Sequence, residues 1–352
     1  MPTRTRALRA FAFLAAAVTL TGCGTVTAEQ NDASDSFTVT DDQGREVTIM
    51  GPVERAVVIN SYGNEVVRAI GAGETVVGVD RTSIDRLAYL DLDADAVVAE
   101  GLDQLNYEAI SRLQPDVVVL PRNAVWQEAA TQLEGFGIPV VVATAWDYDV
   151  ADETVELLGE VFGAEEGAQE LLDFGAEIQA LLGDRLAEVE PVSVYFETEE
   201  PYLTALPGSG FHAMIEAAGG RNVFEDAIGG DAESALTIDP VEVVTRNPEV
   251  ILHEQPPVYT PTDSFLAVAE GIAARPGFSS IPAVQEGRIH VTNGWALSAN
   301  AKSLGALFLA TWLHPEAMEG VDAEVYLERW TSEFQGAEFL GSDAYFSAPL
   351  AR

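Results

Sequence analysis

Residues 152–190 constrain this chain most. The segment opens on Asp152-Glu153-Thr154 and a short apolar stripe of Val155, Leu158, Val161 and Phe162. Asp152 reads as an N-cap, and acids in a first turn suit the positive end of a helix dipole. Gly163 interrupts the stripe. A second stripe follows through Ala168, Leu171, Leu172, Gly175, Ile178, Leu182 and Leu186, the 3-and-4 spacing of one helix face, and Pro191 closes it. Over residues 165–189 this is a rod of roughly 36 Å. Strand and helix signals lie on both sides of it. The pattern therefore describes two lobes on one stiff connector. Without its flanks, the same helix would suit the surface of a single domain.

The flanks repeat one theme. After a hairpin at residues 37–49, apolar strand signals at 56–59, 76–79, 97–98, 115–120 and 139–143 alternate with helical ones. A second block does the same, with strands at 192–196, 202–205, 249–252 and 288–291 and a strongly apolar helix at 303–313. Continuous apolar strands separated by helices mean parallel sheets covered on both faces. The expected class is α/β, two Rossmann-like lobes joined by a long helix. The expected segments are an N-terminal lobe at 37–150, a linking helix at 151–190 and a C-terminal lobe at 191–352. A C-terminal helix is expected over 323–334.

The first residues read as an export signal rather than as part of a fold. Arg4, Arg6 and Arg9 precede an apolar run too short for a comfortable membrane span, and Leu20-Thr21-Gly22-Cys23 resembles a bacterial lipobox. The expectation is a lipoprotein signal peptide at 1–22, lipidation at Cys23, a flexible tether at 23–36 and an extracytoplasmic, membrane-anchored protein. Cys23 is the only cysteine, so neither a disulfide nor a cysteine-based metal cluster can form. The chain carries 18 basic and 57 acidic residues, a formal charge of −39, and just one lysine, Lys302. Loss of the signal would take it to about −42. Such charge excludes nucleic acid and anionic lipid surfaces as partners and suits high ionic strength.

Several phrases resemble the substrate-binding proteins of ABC importers for ferric siderophores, cobalamin and haem, the class III periplasmic binding protein type. They are Asp42-Gln43-Gly44-Arg45-Glu46-Val47-Thr48, Asn64-Glu65-Val66-Val67-Arg68-Ala69-Ile70-Gly71, Leu113-Gln114-Pro115-Asp116-Val117-Val118, Ala217-Ala218-Gly219-Gly220-Arg221-Asn222-Val223-Phe224, Pro276-Gly277-Phe278 and Leu313-His314-Pro315-Glu316. The resemblance spans about residues 37–335. It implies a monomeric receptor that captures an iron(III)-siderophore-type ligand between two lobes and delivers it to an ABC permease, with a corrinoid or haem as alternative and no cofactor of its own. It also implies permease docking through surface glutamates, matched here by Glu65 and Glu216, and a small hinge motion only.

In open α/β sheets, ligands sit beyond the carboxyl ends of the strands. Those ends offer Tyr62, Arg81, Arg122, Trp126, Trp146 and Tyr148 from the first lobe, and Glu197, Tyr202, Ser209, His212, His253 and Trp295 from the second. Aromatics would stack on a bulky ligand, arginines would pair with its oxygens, and Gly208-Ser209-Gly210 could present backbone N–H groups to an anion. For Trp126, on a helix, core packing is an equal reading. Few basic side chains favour a hydroxamate or neutral complex over a triply charged catecholate. His212 and His253 with Glu197 or Glu254 could hold a metal, and Tyr62 or a histidine could ligate haem iron, but no ligand spacing supports either. A direct metal-ion receptor and a hydrolase are the rival classes. No Gly-x-Ser-x-Gly, His-Glu-x-x-His or Walker sequence is present, so the chain is expected not to be an enzyme.

Overall fold

Valine-rich runs build two parallel sheets. The computed structural model describes residues 36–146, 148–228, 235–260 and 264–347. The leader, Cys23 and nearly all of the tether lie outside the described residues. A hairpin of β1 (Ser36–Thr40) and β2 (Glu46–Met50) comes first. The first lobe then runs β3 (Ala56–Val58), α1 (Ser61–Ala69), β4 (Val76–Asp80), α2 (Arg81–Arg86), β5 (Val97–Ala99), α3 (Tyr107–Leu113), β6 (Val117–Leu120), α4 (Trp126–Glu134) and β7 (Val140–Val142). Its sheet order is β5-β4-β3-β6-β7, all parallel. The chain leaves β3 toward one edge and later returns to fill the other, so the sheet has its switch point between β3 and β6.

Two helices follow, α5 (Ala151–Phe162) and α6 (Glu165–Leu186). The second lobe comprises β8 (Val192–Glu197), β9 (Leu203–Ala205), α7 (Gly210–Ala217), β10 (Gly220–Asn222), β11 (Ala235–Thr237), α8 (Pro240–Arg246), β12 (Val250–Gln255), α9 (Phe265–Ala273), α10 (Pro282–Gln285) and β13 (Ile289–Asn293). It ends with α11 (Gly294–Ser298), α12 (Ser303–Leu313) and α13 (Ala323–Arg329). Its parallel order is β10-β8-β12-β13, with the switch point between β8 and β12, while β9 and β11 form a separate antiparallel pair. Among the described residues no helix is long and apolar enough to cross a membrane.

The connector departs from the sequence reading in its ends. Gly163 adopts φ 60° and splits α5 from α6, the break that the interrupted stripe predicts. The helix stops at Leu186, with Ala187 as its C-cap, short of the residues up to 189 that the stripe suggested. The expected helix at 323–334 is α13 followed by a π-helical turn over Trp330–Phe334. Helix α2, absent from the sequence reading, begins directly at the end of β4.

The core does not stop at the lobe boundary. One apolar cluster takes in Val58 and Val119 from the first sheet, Leu158, Leu171 and Ile178 from the connector, and Phe196, Leu252 and Leu309 from the second lobe. Separate clusters fill the outer faces of the two sheets. Strand alternation makes this division: Val57 and Val118 face outward while Val58 and Val119 face the shared core. Helix α6 approaches the first lobe so closely at Gly167 that an added Cβ would lie 2.1 Å from the Ile70 carbonyl oxygen. Gly167→Ala should therefore destabilise the fold by about 1–3 kcal/mol through overpacking. Gly183→Ala, on the same helix with open space around it, should stabilise by about 0.5–1 kcal/mol. Urea unfolding midpoints read both, and equal midpoints for the two variants would refute the packing of α6 described here.

Candidate functional site

A tight polar corner sets the first wall of the cleft. Asn60, at the end of β3, takes φ 98° and accepts a hydrogen bond from the Tyr62 N–H, capping α1. Its own N–H donates to Asp80 Oδ1 (2.7 Å), and Asn64 Nδ2 donates to the Val58 and Asn60 carbonyls (both 3.0 Å). Tyr62 is thereby fixed beside the switch point, its ring 6.3 Å from that of Trp146 at the end of β7. Glu65 lies one helical turn on, and the two share a face. The opposite wall is the segment between α11 and α12. Asn300, Ala301 and Lys302 all take positive φ (47°, 49°, 71°), a rare run for residues that bear a Cβ. Lys302 Nζ crosses to the first lobe and donates to the Trp146 carbonyl (3.0 Å), with the Phe211 ring centre 5.0 Å away.

Between the walls, with α6 as floor, lies a cavity of about 210 Å³ whose lining includes Tyr62, Glu65, Tyr148, Gln179, Asn300 and Ser303. A second lobe-to-lobe contact flanks it: Trp295 Nε1 donates to Tyr89 Oη (3.2 Å), and Tyr259 packs edge-on against Tyr89 (5.0 Å, 89°). The Tyr259 N–H donates to the Arg86 carbonyl (2.8 Å).

The electrostatics are concentrated here. Burial raises Glu65 to about 8 against the pull of Arg86 and Lys302. Burial, reinforced by Glu199, raises Glu254 to about 8, again opposed by Lys302 and Arg86. Burial and then Glu254 hold the Tyr62 hydroxyl well above the usual phenol range, with Ser298 and Arg86 opposing. Five groups from both lobes thus share one field: Tyr62, Glu65, Arg86, Glu254 and Lys302.

Of the residues expected at the site, the structure brings together Tyr62, Trp146 and Tyr148. The others lie elsewhere or work differently. Glu197 and His253 are not in the cleft. Alternation along β8 and β12 sends Glu197 and His253 outward with Tyr195 and Ile251, while Phe196, Leu252 and Glu254 take the other face. There the fully buried Glu197 receives both arms of Arg275 (2.6 and 2.8 Å), the Tyr195 hydroxyl (2.9 Å) and the Tyr202 N–H (2.8 Å). Its other close neighbour, His253 Nδ1, lies 3.0 Å away outside hydrogen-bond alignment. Tyr202 covers Arg275 (4.7 Å) instead of a ligand. Ser209 caps α7 by accepting from the His212 N–H (3.2 Å). His212 lies against Asn222 (3.4 Å) and Glu216 (3.5 Å). Trp126 packs under Arg45 of the hairpin (4.5 Å). Arg81 pairs with Glu100 (3.4 Å), and Arg122 is exposed, its N–H donating to Thr144 Oγ1 (3.1 Å). Trp295 is buried, 1% exposed, in the lobe-to-lobe aromatic cluster.

Glu65 is a correction of another kind. It is 6% exposed and lines the cavity, so it offers nothing to a permease. Glu216 is exposed. Sequence reading missed Arg86, Lys302 and the role of Glu254. Two signals were present: Lys302 is the single lysine, and Glu254 ends an apolar strand. Among the described residues, no group of three or more His, Cys, Asp or Glu side chains is set to hold a metal ion.

Two lobes, a rigid connector and a cleft that buries charge make a receptor that encloses a small molecule. The sequence profile of the periplasmic binding protein family matches residues 57–294, and the chain belongs to that family. It is similar to the molybdate-binding protein MolA of Haemophilus influenzae, 26% identical over 87% of this chain and 93% of that one. The solved structure of MolA bound to molybdate matches with a TM-score of 0.73 at 23% identity, over 87% of this chain and 99% of that one. A cobalamin-binding protein of Halobacterium salinarum is 29% identical over 63% of this chain and 60% of its own. The uncharacterised ABC transporter substrate-binding lipoprotein YvrC of Bacillus subtilis is 26% identical over 79% and 87%. The protein is an extracytoplasmic substrate-binding component of an ABC importer, with a permease as partner; it is not an enzyme.

The Glu197 cluster gives a stability test. Burial raises the Glu197 pKa, but the neighbouring His253 and the Arg275 hydrogen bonds outweigh it and leave about 2. Its ionised form therefore stabilises the fold above the ordinary carboxyl range. Glu197→Ala, which strands Arg275, should cost about 3–5 kcal/mol near neutral pH. That difference should shrink as pH falls from about 4.5 toward about 2. Urea unfolding at several pH values checks it; a pH-independent difference would contradict the ion-pair account.

Proposed function

We propose that the receptor is anchored outside the cell membrane by a lipid on Cys23 and captures a compact, oxygen-rich anion on the scale of molybdate. The observation that carries this reading is the cavity, about 210 Å³, below the roughly 300 Å³ at which pockets for drug-sized ligands begin. Tyr62, Asn300 and Ser303 line it with neutral donors, and the positive charges of Arg86 and Lys302 act on Glu65 in its wall. Similarity to MolA along nearly the full chain points the same way. Glu216 is the docking residue proposed for the permease.

The second reading keeps the ferric siderophore, or a corrinoid. It is favoured by the Tyr62–Trp146 pair with Tyr148 beside it, a surface suited to a bulky chelate, and by the cobalamin-binding relative. Such a ligand needs the lobes to part at Lys302–Trp146 and Trp295–Tyr89.

Intrinsic tryptophan fluorescence, titrated with molybdate, a ferric hydroxamate, cyanocobalamin and haemin at low and high salt, separates the two. Saturable quenching by molybdate is expected, weakened about ten- to hundredfold by Arg86→Ala through loss of a charge-assisted hydrogen bond. Saturation by the hydroxamate or cobalamin alone would transfer the site to the second reading.

A further inference from the structure

We propose that Glu65 and Glu254, one from each lobe, meet the solute as neutral carboxyls that donate their O–H groups to an anionic, oxygen-rich ligand, so that capture is linked to protons. The proposal rests on the cleft being the solute site.

The geometry carries it. Glu65 is 6% exposed and Glu254 5% exposed. Neither carboxyl makes a hydrogen bond or ion pair among the described residues, unlike the equally buried Glu197 with its full set of donors. A buried carboxylate without donors is among the costliest groups a protein can hold, so an unpartnered one keeps its proton. Glu65 lines the cavity; Glu254 is not part of that lining and lies beside Gly294, on the face of β12 that Leu252 turns to the shared core. Both lie within electrostatic reach of Arg86 and Lys302. The Arg86 guanidinium likewise makes no hydrogen bond or ion pair among the described residues. Among the described residues, two carboxyls and a guanidinium are thus left without hydrogen-bond partners within electrostatic reach of one another, with Glu65 in the cavity wall.

Sign decides the ligand class. Ionised, the two acids would suit a cation, yet they assemble no metal-binding group with their neighbours. Neutral, they become donors, and the remaining charge of the site is that of Arg86 and Lys302. The other titratable groups lining the cavity are Tyr62, held protonated by burial, Tyr148, and the exposed Asp152 and Glu153 at the start of α5; Tyr89, also held protonated by burial, is acted on by Glu65, and Glu199 acts on Glu254. Asp152 and Glu153 are open to water and screened by salt. An anion that needs both protons in place loses affinity as pH rises through about 8, where both groups titrate.

Isothermal titration of the protein with molybdate, a ferric hydroxamate and cyanocobalamin, at about pH 7 and about pH 9, is the test. The expected result is molybdate affinity that falls about tenfold per carboxyl across that interval. Glu65→Gln and Glu254→Gln carry no titrating proton, so each should remove one such factor from the pH dependence. Titration of the unaltered protein in buffers of different ionisation enthalpy counts protons independently of whether a variant folds. Net uptake at the higher pH is expected. Affinity that is independent of pH or strengthens with it, or zero or negative uptake, overturns the proposal and leaves the receptor reading intact. Silence from all three probes at both pH values overturns the cleft reading and this proposal together.

Discussion

Packing of α6 against both lobes is the contact on which the rest of the structure depends. The apolar cluster that begins under the first sheet continues through α5 and α6 into α12 and the second sheet. Separating the lobes completely would expose that shared surface, and each buried aliphatic side chain carries about 1.5–3 kcal/mol of burial free energy. Relative motion is therefore restricted to the side of the molecule away from α6. The lobe-to-lobe contacts beyond that helix include polar ones, with Lys302 on the Trp146 carbonyl and Gln335 bonded to Glu65, Arg68 and Tyr89, and an aromatic cluster of Tyr89, Tyr259 and Trp295.

Charge is arranged against the average of the chain. A formal charge of −39 would repel an anion at long range. Exposed acids, however, are screened within about 8 Å at physiological ionic strength, while groups inside a dry cleft interact almost unscreened. The only lysine stands in that cleft, where burial also strips two glutamates of their tendency to ionise. Surface and site can accordingly differ in sign. The surface answers to solubility and the cleft to its ligand.

The fold was largely legible because its signals are local. Val117–Leu120 can only be a buried strand, and the stripe from Ala168 to Leu186 can only be one helix face. The site was less legible because its members are joined by tertiary contacts. Glu197 and His253 look like cleft residues by position at strand ends. Arg275, 78 residues from Glu197, recruits both into a structural cluster on the other face. Strand alternation held the clue, since a strand that sends His253 to one face must send Glu254 to the other. Glu65 carried a similar clue, one helical turn after Tyr62 and on its face. Arg86 had none, because nothing local distinguishes the last residue of a short helix that is drawn to the site partly by Glu254, 168 residues away.

The run from Asn300 to Lys302 has a mechanical meaning. Three consecutive residues with side chains sit in mirror-image backbone conformations, each costing of order 1–3 kcal/mol relative to ordinary ones. Glycine would fill those positions without strain, and none is present. The wound segment joins α11 to α12, and its last residue, the N-cap of α12, sets its ammonium on the Trp146 carbonyl. The strained segment is thus the base from which the second lobe's one lysine reaches the first.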